Sequence, residues 1–267
     1  MTDHYAVIGH PVAHSKSPRI HALFAAQTGQ DMTYEAIEAP LDDFAGTVAR
    51  LRSAGFRGCN VTVPFKFEAY KLANYRSARA ESAQTVNTLS FSGEIIEGDN
   101  TDGAGLVRDI ESNLGVMLQD RRVLLMGAGG AAYGVFLPLL QAGANLAVVN
   151  RTPEKAIALA GTFPEAAIQA GGYETLDTSP FDVVINATSS GLTTELPPLP
   201  ETVFSSATLA YDMMYGRETP FIAQARARGA RISDGLGMLV EQAAEAFFVW
   251  RSVRPDTQAV LAQLRKE

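Results

Sequence analysis

Lys66 closes the run Asn60-Val61-Thr62-Val63-Pro64-Phe65-Lys66. Val61, Thr62 and Val63 read as a buried strand, and Pro64 must end it, because proline has no N–H to give the ladder. A lysine just past the carboxyl end of a strand stands where open α/β sheets bind ligands. Its ammonium can donate a proton or stabilise an oxyanion there. From this stretch alone, a solvated lysine at a helix start is the plainer reading. Other polar groups offer partners. Ser15 and Ser17 precede Pro18, which opens a helical segment. One of them can cap that helix, while in an extended segment both hydroxyls would point the same way, towards a polyhydroxy acid. Asn87, Thr101 and Asp102 come from "VNT" and "GDNTDGAG". Asp102 reads equally well as a helix cap. Gln242 shares a helical face with Leu239, Ala243, Ala246 and Trp250. A buried amide there needs a ligand or a backbone partner.

A second chemistry is written at Val123–Met126, an apolar strand running straight into Gly127, Ala128, Gly129, Gly130, Ala131 and Ala132. This fits the G-x-G-x-x-G/A fingerprint, whose glycines let backbone N–H groups reach a pyrophosphate at a helix N-terminus. A second strand ends in Asn150, Arg151 and Thr152, with Lys155 a turn later. An NAD site normally places a carboxylate there, and a guanidinium instead clamps a 2′-phosphate, so the pattern predicts NADP. Thr152 can also cap a helix with Pro153 at its first position. The small polar run 186–192, which includes Thr188, follows another apolar strand and can border the ribose and nicotinamide, or serve as a plain turn.

The elements that must position these groups alternate. Strands are expected at 5–9, 33–39 and 58–63, with helices opened by Pro18 and lined by Phe44, Val48 and Leu51, which predicts a mostly parallel sheet covered by helices. Two β runs around Ser92-Gly93 predict a hairpin and an antiparallel edge. A fresh α/β series starts at Val123, with strands at 145–150, 181–188 and 207–214, and 195–200 holds three prolines and reads as a loop. The fold class is therefore α/β with two domains. For 267 residues, 46% hydrophobic and 19% charged, this is an ordinary globular chain. A net charge of −7 with no basic block argues against nucleic acid. No 18-residue apolar run is present, so no membrane span is expected and the default location is cytoplasmic. The single cysteine, Cys59, reads as a buried small hydrophobe in a reducing compartment.

Taken in order, "HSKSP", "NVTVPFK", "TVNTL", "GDNTDGAG", "GAGGAA", "NRT", "NATSSG", "YDMMY" and "GMLVEQAA" make the whole chain resemble the shikimate dehydrogenases. The resemblance implies a substrate domain of residues 1–103 plus 239–267, a Rossmann NADP domain of residues 104–238, and a cleft between them. By the same resemblance, Ser15 and Ser17 bind the shikimate carboxylate with Tyr215 nearby. Thr62, Asn87, Asp102 and Gln242 bind ring hydroxyls, and Lys66 and Asp102 are the catalytic pair. Arg151, Thr152 and Lys155 form the phosphate clamp, and Met213 and Gly237 lie near the nicotinamide. NADPH would deliver hydride to the ketone of 3-dehydroshikimate, without a metal, in a monomer or homodimer. Arg217 stands where the family often has proline. A quinate-preferring, NAD-using relative, a non-catalytic NADP-binding regulator and a folate-linked dehydrogenase are the rival readings.

Overall fold

A computed structural model describes residues 2–177, 179–188 and 198–267. Part of the small polar run, 189–192, and part of the proline loop, 195–197, lie outside the described residues. The chain divides into two compact units, Met1–Arg108 with Leu239–Glu267, and Asp109–Met238.

The first unit contains β1 (Asp3–Gly9), α1 (Ser17–Thr28), β2 (Met32–Glu38), α2 (Phe44–Ser53), β3 (Phe56–Val61), α3 (Lys66–Leu72), β4 (Tyr75–Arg76), α4 (Ala78–Ala83), β5 (Thr88–Ser92), β6 (Ile95–Asp99) and α5 (Asp102–Arg108). Among the described residues its sheet runs β2-β1-β3-β5-β6-β4. β1, β2 and β3 are parallel, and β5 runs antiparallel to both β3 and β6. The expected hairpin is present but is not the sheet's edge. The two-residue β4 lies outside β6 and parallel to it, too short to show any alternation in sequence. The hairpin turn is also one residue later than expected, with Ser92 still paired to Ile95.

β3 ends at Val61, two residues short of the expected strand. Thr62 still donates its N–H to Ile8, but its carbonyl accepts from Phe65, closing a turn that contains the cis Val63-Pro64 bond. That turn leads into α3 at Lys66. Phe65, fully buried and stacked on Phe44 at 5.0 Å, pins the turn to the core. Lys66 is thus both a helix-start residue and a residue at the sheet's carboxyl edge.

The second unit holds β7 (Arg122–Met126), α6 (Gly130–Gln141), β8 (Asn145–Val149), α7 (Pro153–Ala160), β9 (Gln169–Gly171), β10 (Val183–Asn186), β11 (Leu209–Asp212), α8 (Pro220–Ala227) and β12 (Arg231–Ser233). Its strands are shorter than the sequence suggests at 181–188 and 207–214. Their order, β12-β11-β10-β7-β8-β9, all parallel, is that of a Rossmann sheet. Val123 to Met126 are wholly buried, as a strand covered on both faces requires. The long α9 (Leu236–Arg251) contributes its start to this unit and the rest to the first, to which α10 (Thr257–Leu264) also belongs.

An aromatic layer lies under α1 in the first unit. His21 is fully buried and stacks face to face on Tyr34, with ring centroids 4.0 Å apart. Burial pushes its pKa down to about 3. Unfolded, the imidazole titrates near its ordinary value, so between about pH 6.5 and 3 the unfolded chain binds a proton the native one refuses. Lowering the pH through that window should cost about 1.4 kcal/mol of stability per pH unit. His21→Phe keeps the stack and should remove that slope in denaturant unfolding measured across the window. Equal slopes in both proteins would refute the assignment.

Candidate active site

Three chain segments converge at one edge of the first sheet because β5 is antiparallel. Its start lies where β3 and β6 end, and the pairs Asn60 with Thr88 and Thr88 with Asp99 mark that row. Asn87 therefore sits beside Val61 on one side and Asp99 on the other. Its carbonyl accepts the Val61 N–H at 2.8 Å, and its N–H donates to Asp99 at 3.0 Å. Lys66 enters the same place because its carbonyl accepts the Val86 N–H at 3.0 Å.

Lys66 Nζ donates to Asp102 Oδ2 at 2.5 Å, with side chains only 12% and 6% exposed. Solvent therefore screens the pair weakly. The other carboxylate oxygen accepts from Asn87 Nδ2 at 2.8 Å. The Asn87 amide has no freedom to turn over, because its Oδ1 accepts the Thr101 N–H at 2.9 Å. Asp102 does not cap α5 with its side chain. Thr101 precedes the helix and its carbonyl accepts the Gly105 N–H, so the carboxylate is left for Lys66.

Gln242 completes this cluster. Its Oε1 lies 3.4 Å from Asn87 Nδ2 and 3.5 Å from Thr101 Oγ1, and its Nε2 donates to the Leu239 carbonyl. α9 can come this near because residue 105 is glycine, where a Cβ would meet the Gln242 backbone nitrogen at 2.7 Å. Salt bridges hold the helix in place. Arg79 clamps both oxygens of Asp99 at 2.6 Å and reaches Glu245 on α9 at 2.9 Å. Burial acts against the Asp99 charge, but the Arg79 guanidinium outweighs it and holds the carboxyl below the usual range.

The paired serines differ from their expected arrangement. Ser17 is the first residue of α1 and buried, so no extended segment aligns the two hydroxyls. A turn links them instead, with Ser15 Oγ accepting the Ser17 N–H at 3.2 Å. Thr62 is half-buried beside Gly9 at the end of β1.

In the second unit the glycine loop leaves β7 beside β10, the point at which the strand order reverses. Gly127 has φ +108, and a Cβ there would touch the Ala187 backbone at 3.1 Å. Gly129, at the N-cap of α6, has nothing within 4 Å of a built Cβ. The loop thus has room for a phosphate group over the free N–H groups of the helix start, which Gly130 and Ala131 begin. Thr152 is the N-cap of α7 with Pro153 next, as expected, yet its side chain makes no capping bond. Arg151, Thr152 and Lys155 are exposed at the end of β8, and Asn150 turns its side-chain amide onto the Thr152 carbonyl at 2.9 Å. A hydroxyl not spent on capping, beside two cationic side chains, suits a phosphate monoester. These residues fit an NADP-type dinucleotide.

Asp212 has no place in the sequence-based set of site residues, and it organises the loops on this side. Its carboxylate accepts from Asn186 Nδ2 at 3.2 Å, Thr219 Oγ1 at 2.5 Å and the Met214 N–H at 3.0 Å. Asn186 Oδ1 in turn accepts from the Thr188 hydroxyl, and the Asn186 carbonyl accepts the Met213 N–H. A charged residue in the apolar strand "TLAYDMM" is the signal that could have found it. Gly237 lies against the Asp109 carboxylate, where a Cβ would not fit, and Tyr215 and Met213 are half-buried.

A Rossmann sheet with a glycine loop at its switch point, on one chain with a shielded lysine–aspartate pair, defines a nicotinamide-dependent oxidoreductase. Models of known families match in three stretches. They are the shikimate dehydrogenase substrate binding domain at residues 7–89, shikimate / quinate 5-dehydrogenase at 109–194, and the shikimate 5'-dehydrogenase C-terminal domain at 235–265. The NADP(+) shikimate dehydrogenase of Methylobacillus flagellatus is 60% identical over 98% of this chain and 99% of its own. Among solved structures, an Ael1 enzyme from Pseudomonas putida is 52% identical with a TM-score of 0.92, covering 98% of each chain. The shikimate 5-dehydrogenase of Thermus thermophilus, in complex with NADP(H) and shikimate, is 35% identical with a TM-score of 0.89 over 99% of each chain. The chain belongs to the shikimate dehydrogenase family.

The open space at Gly129 makes a separable test of the loop. Gly129→Ala should change stability by no more than about 1 kcal/mol, the scale of an N-cap substitution. It should raise the Kd for NADP by about tenfold or more in calorimetric titration, as a methyl group crowds the pyrophosphate. Unchanged affinity would place the dinucleotide elsewhere.

Proposed function

We propose that the protein is an NADP-dependent shikimate dehydrogenase, which reversibly reduces 3-dehydroshikimate to shikimate on the route to the aromatic amino acids. The observation that carries this reading is the Lys66–Asp102 pair at 2.5 Å, oriented by Asn87 among further hydroxyl and amide groups. It is a donor array suited to a ring with several hydroxyls.

When bound, the cofactor supplies the hydride in ketone reduction and accepts it in the reverse direction. The chain's own residues do the rest. Lys66 directs an N–H at the reacting oxygen, stabilises the negative charge that develops there, and delivers the proton. Asp102 holds the ammonium by one oxygen and, with Asn87, Thr62 and Gln242, receives the ring hydroxyls. Ser15 and Ser17, assisted by Tyr215, take the carboxylate. In the other unit, Gly127, Ala128, Gly129, Gly130 and Ala131 cradle the pyrophosphate. Asn150, Arg151, Thr152 and Lys155 take the 2′-phosphate, and Thr188, Met213 and Gly237 lie along the nicotinamide half. The proposed division of labour assigns residues 1–103 and 239–267 to substrate and 104–238 to cofactor. No helix among the described residues is long and apolar enough to cross a membrane. A cytoplasmic location goes with this reading, and wholly buried, unpaired Cys59 suits a reducing compartment.

NADPH formation with shikimate tests the proposal directly. Shikimate with NADP should be turned over in preference to quinate with NAD, and the opposite preference would overturn it. Lys66→Ala should lower kcat by about a thousandfold, within the range of a positioned general acid. Near-normal turnover would remove Lys66 from its role.

A further inference from the structure

Asn87 is held from behind by a file of side chains, buried except for the half-buried Tyr34 at its far end. Thr88 Oγ1 donates to Asn87 Oδ1 at 2.9 Å and accepts from Asn60 Nδ2 at 3.0 Å. Asn60 Nδ2 also donates to the Asn87 carbonyl at 3.1 Å, and Asn60 Oδ1 accepts from the Tyr34 hydroxyl at 2.7 Å. Asn60, Asn87 and Thr88 are 6%, 2% and 0% exposed, so water cannot substitute for a lost partner.

The polarity of this file admits a single arrangement. The Asn87 carbonyl only accepts, so the Asn60 amide must turn Nδ2 to it and Oδ1 to Tyr34. Tyr34 must then donate. Thr88, receiving from Asn60, passes its own proton to Asn87 Oδ1, which leaves Asn87 Nδ2 facing the Asp102 carboxylate. Every donor from Tyr34 onward points towards Asp102 and so towards Lys66. The Tyr34 ring is itself held by its stack on His21 and lies tilted beside the Trp250 ring, centroids 6.3 Å apart.

We infer that Tyr34 and Asn60 are positioning residues for the Lys66–Asp102 pair, acting through Thr88 and Asn87 without touching substrate. The inference rests on the proposed shikimate dehydrogenase activity. Removing the Tyr34 hydroxyl leaves Asn60 Oδ1 without its donor, and the amide, still facing the Asn87 carbonyl with Nδ2, is released to shift from its place and loosen its bonds to Thr88 and Asn87. Asn87 keeps the sense that the Thr101 N–H gives it, but its place is no longer held from behind, and the carboxylate it carries shifts relative to the lysine.

The test starts from wild-type turnover of shikimate with NADP. If that is absent, the functional reading fails and not this one. Tyr34→Phe, which conserves shape, should lower kcat about tenfold, the scale of a small misalignment of reacting groups. KM for NADP should stay within about twofold; because Tyr34 also bonds to Ser17, KM for shikimate is read in Thr88→Val, where it too should stay within about twofold. In an Asn87→Ala background the same substitution should have no further effect, because the two residues act in one file. Thr88→Val breaks the file one link nearer and should give the same split, which covers the case of a poorly folding Tyr34 variant. A kcat within about twofold of wild type for both single variants, or the full Tyr34→Phe effect persisting in the Asn87→Ala background, would overturn the inference.

Discussion

A lysine and an aspartate withdrawn from water must recover their lost hydration from fixed partners, and attraction between them is not by itself enough. Lys66 and Asp102 meet this requirement through Asn87, whose amide takes the second carboxylate oxygen and whose backbone is locked into both neighbouring strands. Much of the first unit follows from that demand. The antiparallel course of β5 brings Asn87 to the edge where β3 and β6 end. The turn at Pro64 starts α3 at the lysine, the Thr101 carbonyl receives the α5 cap bond, and Gly105 lets α9 approach with Gln242.

The dinucleotide half solves a different problem. A phosphate needs backbone donors at close range and cationic side chains at its rim, so the loop must be small where the backbone approaches and open where the ligand lies. Gly127, crowded by Ala187, and Gly129, with empty space around it, meet those two conditions in adjacent turns. Asp212 ties the loops after β10 and β11 to each other. Burial raises its carboxyl pKa despite three donors, so this tie carries a cost in stability that an apolar residue would avoid.

Much of this was legible in the chain. The glycine loop, Arg151 and the Thr152-Pro153 helix start depend on consecutive residues, and the Rossmann rhythm depends on continuous apolar runs. Where sequence and structure part, the local signal is weak or misleading. Tyr75–Arg76 is too short for periodicity and pairs through bonds that flank it, from Asn74 to Ile96 and from Ser77 to Gly98. Thr62 and Val63 have strand chemistry, yet the turn before α3 takes them. Ser15 and Ser17 suggest alternation, and the helix begins one residue too early for it. Asn60 falls inside the expected strand 58–63, where a polar residue within a buried run already signals that partners must exist.

By itself, the sequence determined which segments become strands and helices, where a phosphate can rest, and which residues have chemistry to offer. Those properties depend on each residue and its bonded neighbours. Only the tertiary structure decided that Lys66 meets Asp102 rather than solvent, that Asn87 orients the carboxylate, and that Gln242 arrives from the far end of the chain. Those contacts depend on strand order, register and the closeness of two helices. They are set by the packing of the whole unit, and no spacing along the chain encodes them.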